Sequence, residues 1–143
     1  MRTHFFPRAS SAGAALIVLA VGCKKAPPPP PAAPPPVAVA SVDLGKQLGP
    51  DNRVVQAMTT FGRRDTIYAS VATTGAATSA VLTAKWTFQT GQTVDSTATT
   101  IAPTGPAQTE FHIVKASPWP AGKYTVAIWL NGQAAGTKDF EVK

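Results

Sequence analysis

The sequence contains very few of the residues that form catalytic or metal sites. Its 143 residues include one cysteine, Cys23, and two histidines, His4 and His112. A single cysteine has no intramolecular disulfide partner, and no Cys or His pair has the spacing of a zinc site. The aspartates are scattered rather than grouped as in a calcium loop, and there is no glycine-rich phosphate-binding loop. We therefore expect a non-catalytic protein that uses no metal and no other cofactor.

His112 is the one histidine outside the N-terminal leader described below. A catalytic histidine needs a nucleophile and an orienting carboxylate close to it. The two-residue period of a strand places His112 on the face opposite to Phe111 and Ile113. We therefore expect a surface histidine rather than a general base.

Charged residues are also scarce, at 14% of the chain. The 13 basic and 7 acidic residues give a formal net charge of +6, but from Ser41 onward nine basic residues stand against seven acidic ones, a difference of +2. A nucleic-acid surface needs clustered basic residues with stacking aromatics, so we expect no nucleic-acid partner. The apolar share of 44% suffices for the core of one domain.

No hydrophobic run is long enough to cross a membrane as a helix, which takes about 20 apolar residues. The apolar run over residues 12–21 follows Arg2 and Arg8. A basic start, a short apolar middle and small residues before a cleavage site describe a secretory signal peptide. We assign residues 1–22 to this signal peptide.

The signal peptide ends in Leu19-Ala20-Val21-Gly22 before Cys23, which resembles the lipobox of bacterial lipoproteins. The resemblance implies that the chain is cut before Cys23, whose thiol carries diacylglycerol, so that acyl chains hold the protein to a membrane. Each buried methylene contributes about 0.8 kcal/mol to such anchoring. By resemblance to the enterobacterial sorting rule, Lys24 after the cysteine implies the outer membrane, facing the periplasm. The alternative is an ordinary secretory leader with a chance cysteine.

Residues 23–40 form a predicted tether between the lipidated cysteine and the folded domain. Its central part, residues 26–36, is almost entirely proline and alanine. Such a segment cannot fold into a packed core, and we expect a disordered, semi-rigid polyproline spacer. At about 3.1 Å per residue it would hold the domain roughly 30 Å from the membrane. The alternative is a ligand for a proline-binding groove.

Residues 41–143 have the alternating pattern of an all-β domain. Short strands separated by turn residues indicate a single antiparallel β-sandwich of seven to eight strands. The dipeptide Asn131-Gly132 predicts a type I′ hairpin turn. The predicted strands are Val37–Leu44, Val54–Phe61, Thr66–Ala72, Val81–Phe88, Val94–Ile101, Glu110–Val114, Tyr124–Leu130 and Thr137–Val142.

The alternation also predicts which face of each strand is buried. In the strand around Trp86, the residues that point inward are Leu82, Ala84, Trp86 and Phe88. The other predicted core residues are Ile67, Ala69, Val71, Phe111, Ile113, Tyr124, Val126, Ile128, Leu130, Phe140 and Val142. This core is large enough to form without a disulfide.

Two parts of this domain resemble known sandwich families. Trp86 and the segment Ala121-Gly122-Lys123-Tyr124-Thr125-Val126 are similar to the core tryptophan and the tyrosine corner of immunoglobulin-like domains. Val126 stands where those domains have the second disulfide cysteine, which implies a disulfide-free variant. The segment from Phe61 to Val71 is similar to the opening of macroglobulin-type bacterial sandwich domains. Both resemblances concern fold and leave function open.

The candidate partner-binding residues are two tryptophans and a pair of arginines. Exposed indoles stack on sugars or anchor protein partners. Trp129, on the outward side of its strand, either contacts a partner or lies under a loop or a neighbouring strand. Trp119 either contacts a partner or caps the end of the sandwich. Arg63 and Arg64 form a basic turn. We expect a lipid-anchored binding or accessory module of the bacterial envelope, with an envelope protein or glycan as partner; the alternative is a periplasmic inhibitor or chaperone that acts through a loop or sheet edge.

Overall fold

The computed structural model describes residues 26–143, so the predictions for the signal peptide, Cys23 and Lys24 lie outside the described residues. Residues 32–143 form one compact unit. No helix in the described part is long and apolar enough to cross a membrane. Eight strands are present within residues 26–143: β1 (Ala38–Gly45), β2 (Thr60–Phe61), β3 (Ile67–Thr74), β4 (Ala80–Phe88), β5 (Thr93–Ile101), β6 (Ala107–Ile113), β7 (Gly122–Leu130) and β8 (Gln133–Val142).

The strands form two sheets. The first sheet has three strands in the order β1-β3-β6, and the second has five in the order β2-β8-β7-β4-β5. Neighbouring strands are antiparallel, except that β2 runs parallel to β8. The apolar side chains of both sheets meet in one core. The predicted all-β sandwich is confirmed.

The alternation predicted the buried faces of the strands. Trp86 in β4 has no exposed surface, and neither do its inward neighbours Leu82 and Ala84. The predicted core residues on the other strands are buried as well, apart from Leu130. Phe88 and Leu130 are only half-buried and pack against the border of the core, because each is the last residue of its strand.

The strand predicted over Val54–Phe61 is wrong for most of its length. Only Thr60–Phe61 forms a strand, and Val54 makes an isolated bridge with Leu48. The segment between them is a loop, in which the amide of Met58 donates to the carbonyl of Leu44 at 2.8 Å and Val55 is 67% exposed. A strand needs a partner along its length, and this segment has only the bridge to Leu48 at one end and the short pairing of β2 with β8 at the other.

The turn between β7 and β8 is the predicted hairpin. Asn131 and Gly132 have φ values of 51° and 79°, as a type I′ turn requires. The side-chain oxygen of Asn131 also accepts the amide of Val81 in β4 at 2.9 Å. Both strands are longer than the alternation predicted, since β7 begins at Gly122 and β8 at Gln133.

The features that resemble immunoglobulin-like domains have the expected geometry. The Tyr124 hydroxyl donates to the carbonyl of Pro120 at 2.8 Å, which is the contact of a tyrosine corner. Val126 is fully buried and lies directly opposite Trp86 in the register of β4 and β7. The Trp86 ring meets Phe140 edge-on at 5.8 Å. Aromatic packing therefore fills the region where related folds have a disulfide.

The last residues of the predicted tether are bonded to the turn between β3 and β4. The amide of Ala76 donates to the carbonyl of Pro35 at 2.9 Å, and Pro36 forms a bridge with Ala76. Gly75, with a φ of +82°, permits this approach, because a Cβ there would collide with the carbonyl oxygens of both prolines. We call this end of the sandwich, where β1 begins, the tether end; the opposite end, where β1 finishes at Gly45, is the far end.

Candidate functional site

Trp129 is exposed on the outer face of the five-stranded sheet. Its side chain is 37% exposed, while the preceding residue, Ile128, is fully buried. It lies opposite Thr83 of β4 in the sheet register. Lys85 and Ser96 line the same shallow depression. The structure therefore presents one large aromatic ring among hydroxyls and an ammonium group, which suits contact with a sugar or a protein surface.

Trp119 is buried at the far end of the sandwich, where it closes the end of the core. It is only 3% exposed, and its indole Nε1 donates to the carbonyl of Asp65 at 3.0 Å. Its ring meets Tyr124 edge-on at 6.3 Å. Of the two interpretations of this residue, capping agrees with the structure, because so little of the indole is accessible to a partner.

The arginine pair lies in the exposed turn between β2 and β3. Arg63 Nε donates to the carbonyl of Trp119 at 2.9 Å, and the amide of Trp119 donates back to the carbonyl of Arg63 at 2.7 Å. The guanidinium of Arg63 therefore holds the Trp119 loop in place. Arg64 is exposed beside it.

Asp65 closes the same turn. Its carboxylate accepts the amide of Gly62 at 2.6 Å and lies 2.6 Å from Lys46 Nζ. The hydrogen bond from Lys46 lowers the pKa of Asp65, against an opposing effect of burial. Together with Arg63 and Trp119, Asp65 and Lys46 form a network that fixes the far end of the sandwich.

The titratable side chains are otherwise dispersed over the surface. His112 is exposed as predicted, with Nδ1 3.2 Å from a carboxylate oxygen of Glu110. Within residues 26–143 no three His, Cys, Asp or Glu side chains lie close enough together to hold a metal ion.

A cavity of about 480 Å³ lies at the far end, and no pattern in the sequence predicts it. Phe88, Ile113, Trp119 and Tyr124 contribute apolar atoms to its walls, and the polar lining includes Asp95, His112 and Lys115. The Nζ of Lys115 lies 5.8 Å from the centre of the Trp119 ring. Burial raises the pKa of Tyr124, so its hydroxyl stays neutral and bonded to the Pro120 carbonyl. The cavity opens between β5 and β6, which form the free edges of the two sheets on this side.

Comparison with known proteins identifies the fold and no family. No family model and no curated protein matches the chain. An immunoglobulin-like protein of Pseudomonas aeruginosa, PA1606, is similar in structure, with a TM-score of 0.55 at 13% identity, over 75% of this chain and 96% of that one. The domain is therefore immunoglobulin-like in fold.

Two larger proteins also contain regions of similar structure. One is a β-glucosidase of Listeria innocua in complex with glucose, with a TM-score of 0.50 at 9% identity over 74% of this chain. The other is the alkylpurine DNA glycosylase AlkC of Pseudomonas fluorescens bound to DNA, with a TM-score of 0.48 at 16% identity over 75% of this chain. The chain spans 15% of the length of the former and 30% of the latter. At these identities the likeness concerns the fold alone.

Proposed function

We propose that this chain is a non-catalytic binding module of the bacterial cell envelope, held to the outer membrane by acyl chains on Cys23 and facing the periplasm. The anchoring part rests on the lipobox resemblance of the sequence before Cys23. The proposal that the domain is held away from the membrane is supported by residues 26–36. These residues are exposed and rich in proline, and they lead directly to the first strand of the domain. A tethered domain of this kind reaches partners beyond the lipid headgroups.

The observation that carries the binding proposal is the exposure of Trp129. Large aromatic side chains are costly to leave in water, and exposed tryptophans are enriched in contact surfaces. Trp129 lies on the outer face of the five-stranded sheet, at a shift in the register of β7 and β8, and its neighbours Thr83 and Lys85 leave the ring accessible. An envelope protein or glycan that covers this ring is the proposed partner.

The test is capture of envelope components by the domain. Purified protein is incubated with solubilised envelope proteins and, separately, with isolated peptidoglycan. Both preparations come from a bacterium that produces this protein. Trp129→Ala should lower the affinity for the captured component about 30-fold, which corresponds to the roughly 2 kcal/mol of a central aromatic contact.

Val55→Ala is the matched control, because Val55 is an exposed apolar residue in the loop between β1 and β2. It should bind as the wild type does. Equal capture by the Trp129→Ala and wild-type proteins, with both folded, would remove Trp129 from the binding surface.

A second candidate function is an inhibitor or chaperone that holds a client through strand addition. The observation that favours it is the free edge of β6 in a sheet of only three strands. Main-chain hydrogen bonds at such an edge recognise extended segments with little regard to sequence.

A further inference from the structure

Strand β5 lies at one edge of the five-stranded sheet and is exposed on both of its faces. Seven of its nine residues are exposed, the largest share of any strand within residues 26–143. Thr97 and Thr99 lie opposite Ala84 and Leu82 of β4. Ala84 and Leu82 are fully buried, so the two threonines point to the same inner face of the sandwich. They are nevertheless exposed, because the three-stranded sheet ends before it covers β5.

The second edge of β5 pairs with no strand among the described residues, and it has little protection. Natural sheets protect free edges with prolines, charged residues or bulges. In β5 such devices are confined to the start of the strand, where a register shift leaves Val94 unpaired and Asp95 is the one charged residue. From Ser96 to Ile101 the strand has no charge, no proline and no glycine, and its register with β4 is regular. This part of the edge is therefore suited to pair with another strand.

The side chains of β5 are arranged symmetrically about Ala98. Thr97 and Thr99 flank it on the inner face, and Ser96 and Thr100 flank it on the outer face. When a second β5 pairs antiparallel with Ala98 opposite Ala98, each of these four hydroxyls faces another hydroxyl. Cross-strand hydroxyl pairs stabilise a sheet, and the small alanine side chains leave room at the centre. The order of residues in β5 is thus self-complementary, as an interface between two identical copies requires.

The one charge of β5 does not oppose this pairing. With Ala98 at the centre, Asp95 of each copy lies opposite Ile101 of the other. The two carboxylates are then six residues apart along the strands, roughly 20 Å, which is well beyond the screening length of about 8 Å. Repulsion between them is therefore weak.

We propose that two copies of this chain pair through β5, antiparallel and with Ala98 on a two-fold axis. The pairing joins two five-stranded sheets into one sheet of ten strands, through about six to eight backbone hydrogen bonds. One pair of strands buries less area than the roughly 1,600 Å² of a standard interface, so the dimer dissociates at low protein concentration. The axis reverses the second copy, and the two tether ends therefore point in opposite directions.

The same register determines where the two Trp129 rings lie. Trp129 lies opposite Thr83, and Thr83 lies opposite Ala98, so the three residues form one row across the sheet. In the dimer this row continues into the second copy, and the two rings lie on one face about five strand spacings apart, roughly 24 Å. A partner with repeated sites would contact both rings at once. Pairing of β5 itself requires neither Trp129 nor acylation, so it is independent of the proposed function.

The test is disulfide cross-linking of the purified full chain with Cys23→Ala, in which each added cysteine is the only one. Ala98→Cys should form a covalent dimer on mild oxidation, because residues opposite each other on antiparallel strands have Cα atoms about 4.5–5.5 Å apart, within reach of a disulfide. Ser96→Cys and Thr100→Cys are the matched controls, on the same face of the same strand. Each would lie four residues from its own copy, roughly 14 Å, and should give about tenfold less dimer.

Two double variants, each added to the Ala98→Cys protein, test the register. Thr97→Lys with Thr99→Lys should lower the yield of cross-linked dimer about tenfold, because lysines then face lysines across the axis. Thr97→Lys with Thr99→Glu should keep the yield of Ala98→Cys alone, because each lysine then faces a glutamate. Both variants change exposed residues of one strand, and thermal unfolding shows that they are folded. Trp129→Ala should leave the cross-linking unchanged.

Three results would overturn the proposal. The first is equal dimer yield from Ala98→Cys, Ser96→Cys and Thr100→Cys, which would indicate random collision. The second is undiminished cross-linking in the double-lysine variant. The third is a dimer in sedimentation that the double-lysine variant leaves intact, which would place the interface on another surface, such as the edge of β6. None of them bears on capture of a partner by Trp129, so failure of the β5 pairing and failure of the proposed function are distinguishable.

Discussion

Among single residues, Trp86 has the most demanding environment. Its ring is completely buried, yet its indole Nε1 has no hydrogen-bond partner within the described residues. A buried donor without a partner costs about 1–3 kcal/mol, so this tryptophan stabilises the core through its volume and its contact with Phe140 despite that cost. The aromatic ring matters more than the N–H group.

Truncation of Trp86 therefore separates the two contributions. Trp86→Ala should lower the free energy of unfolding by about 3–5 kcal/mol, because it leaves a large cavity. Trp86→Phe should cost clearly less, because it keeps a ring beside Phe140 and removes the unpaired donor. Urea unfolding of both variants measures the difference. Equal losses for the two would show that the N–H group has a partner.

Asp65 gives the far end of the sandwich a pH dependence. Its pKa is lowered in the folded protein by the hydrogen bond from Lys46, so the folded state favours the ionised carboxylate. The resulting stability is fully present above the unfolded-state pKa of about 3.9 and is lost as the pH falls through the lower folded-state value. The loss therefore falls in the acid range below about pH 4.

Asp65→Asn should lower stability by about 1 kcal/mol at pH 7 and flatten the acid side of the stability curve, because an amide does not titrate there. Asp51→Asn is the control, since it removes a carboxylate from an exposed ion pair with Arg53. Melting temperatures between pH 2 and pH 7 test both. Parallel acid curves for Asp65→Asn and the wild type would contradict this assignment.

Residue exposure was predictable where a strand alternates and unpredictable elsewhere. The exposure of Trp129 follows from its place between the inward residues Ile128 and Leu130. Trp119 lies between two prolines outside any strand, so the alternation has no bearing on it. Its burial depends on the carbonyl of Asp65, 54 positions earlier in the chain.

Among the elements, the turn between β3 and β4 has a role that its sequence does not reveal. Gly75 is where the end of the tether and the sandwich come into contact. Gly91, in the turn between β4 and β5, has nearly the same φ, +83° against +82°, but a Cβ there would meet no atom within 4 Å. These two glycines differ in their surroundings and hardly at all in conformation.

Gly91→Ala should cost about 1–2 kcal/mol, from the positive φ alone. Gly75→Ala should cost more, since its methyl group also displaces Pro35 and Pro36 and breaks the hydrogen bond from Ala76. Thermal unfolding gives the costs, and amide exchange at Ala76 should rise only in the Gly75 variant. Equal costs with Ala76 still protected would contradict the docking of the tether.

At the level of elements, the sequence indicated the strands that have long partners. β3, β4, β5 and β7 coincide with alternating segments that pair along most of their length. The segment over Val54–Phe61 has similar composition but no such partner, and composition does not show whether a partner exists. β6 and β8 begin earlier than predicted, because pairing with β3 and β7 extends each past its apolar residues.

At the scale of the whole molecule, Cys23 tests the proposed attachment to a membrane. Cys23→Ala should abolish incorporation of radiolabelled lipid and release the protein from the membrane fraction, because only the thiol accepts the acylglycerol. Cys23→Ser is a second variant with an almost isosteric side chain, and it should behave in the same way. A wild type that takes up no label, together with unchanged membrane association of both variants, would exclude the lipoprotein assignment.

The sequence did not predict how the strands are divided between the two sheets. The alternation identifies which residues are inward, and it does not show that the first sheet has three strands and the second five. The far-end cavity depends on that difference and on residues as distant as Phe88 and Trp119. Long-range placement of this kind is decided by packing between sheets, for which the chain has no local signal.

The position of the tether also determines how the domain responds to mechanical force. The chain enters at Ala38, and β1 then runs to Gly45 with bonds to β3 along its length. When the N-terminus is pulled while a partner holds the far end, the load acts along the axis of β1, and the hydrogen bonds to β3 bear it together in shear. A pull across the strands would instead break them one after another. An N-terminal attachment of the kind proposed would therefore load β1 in shear.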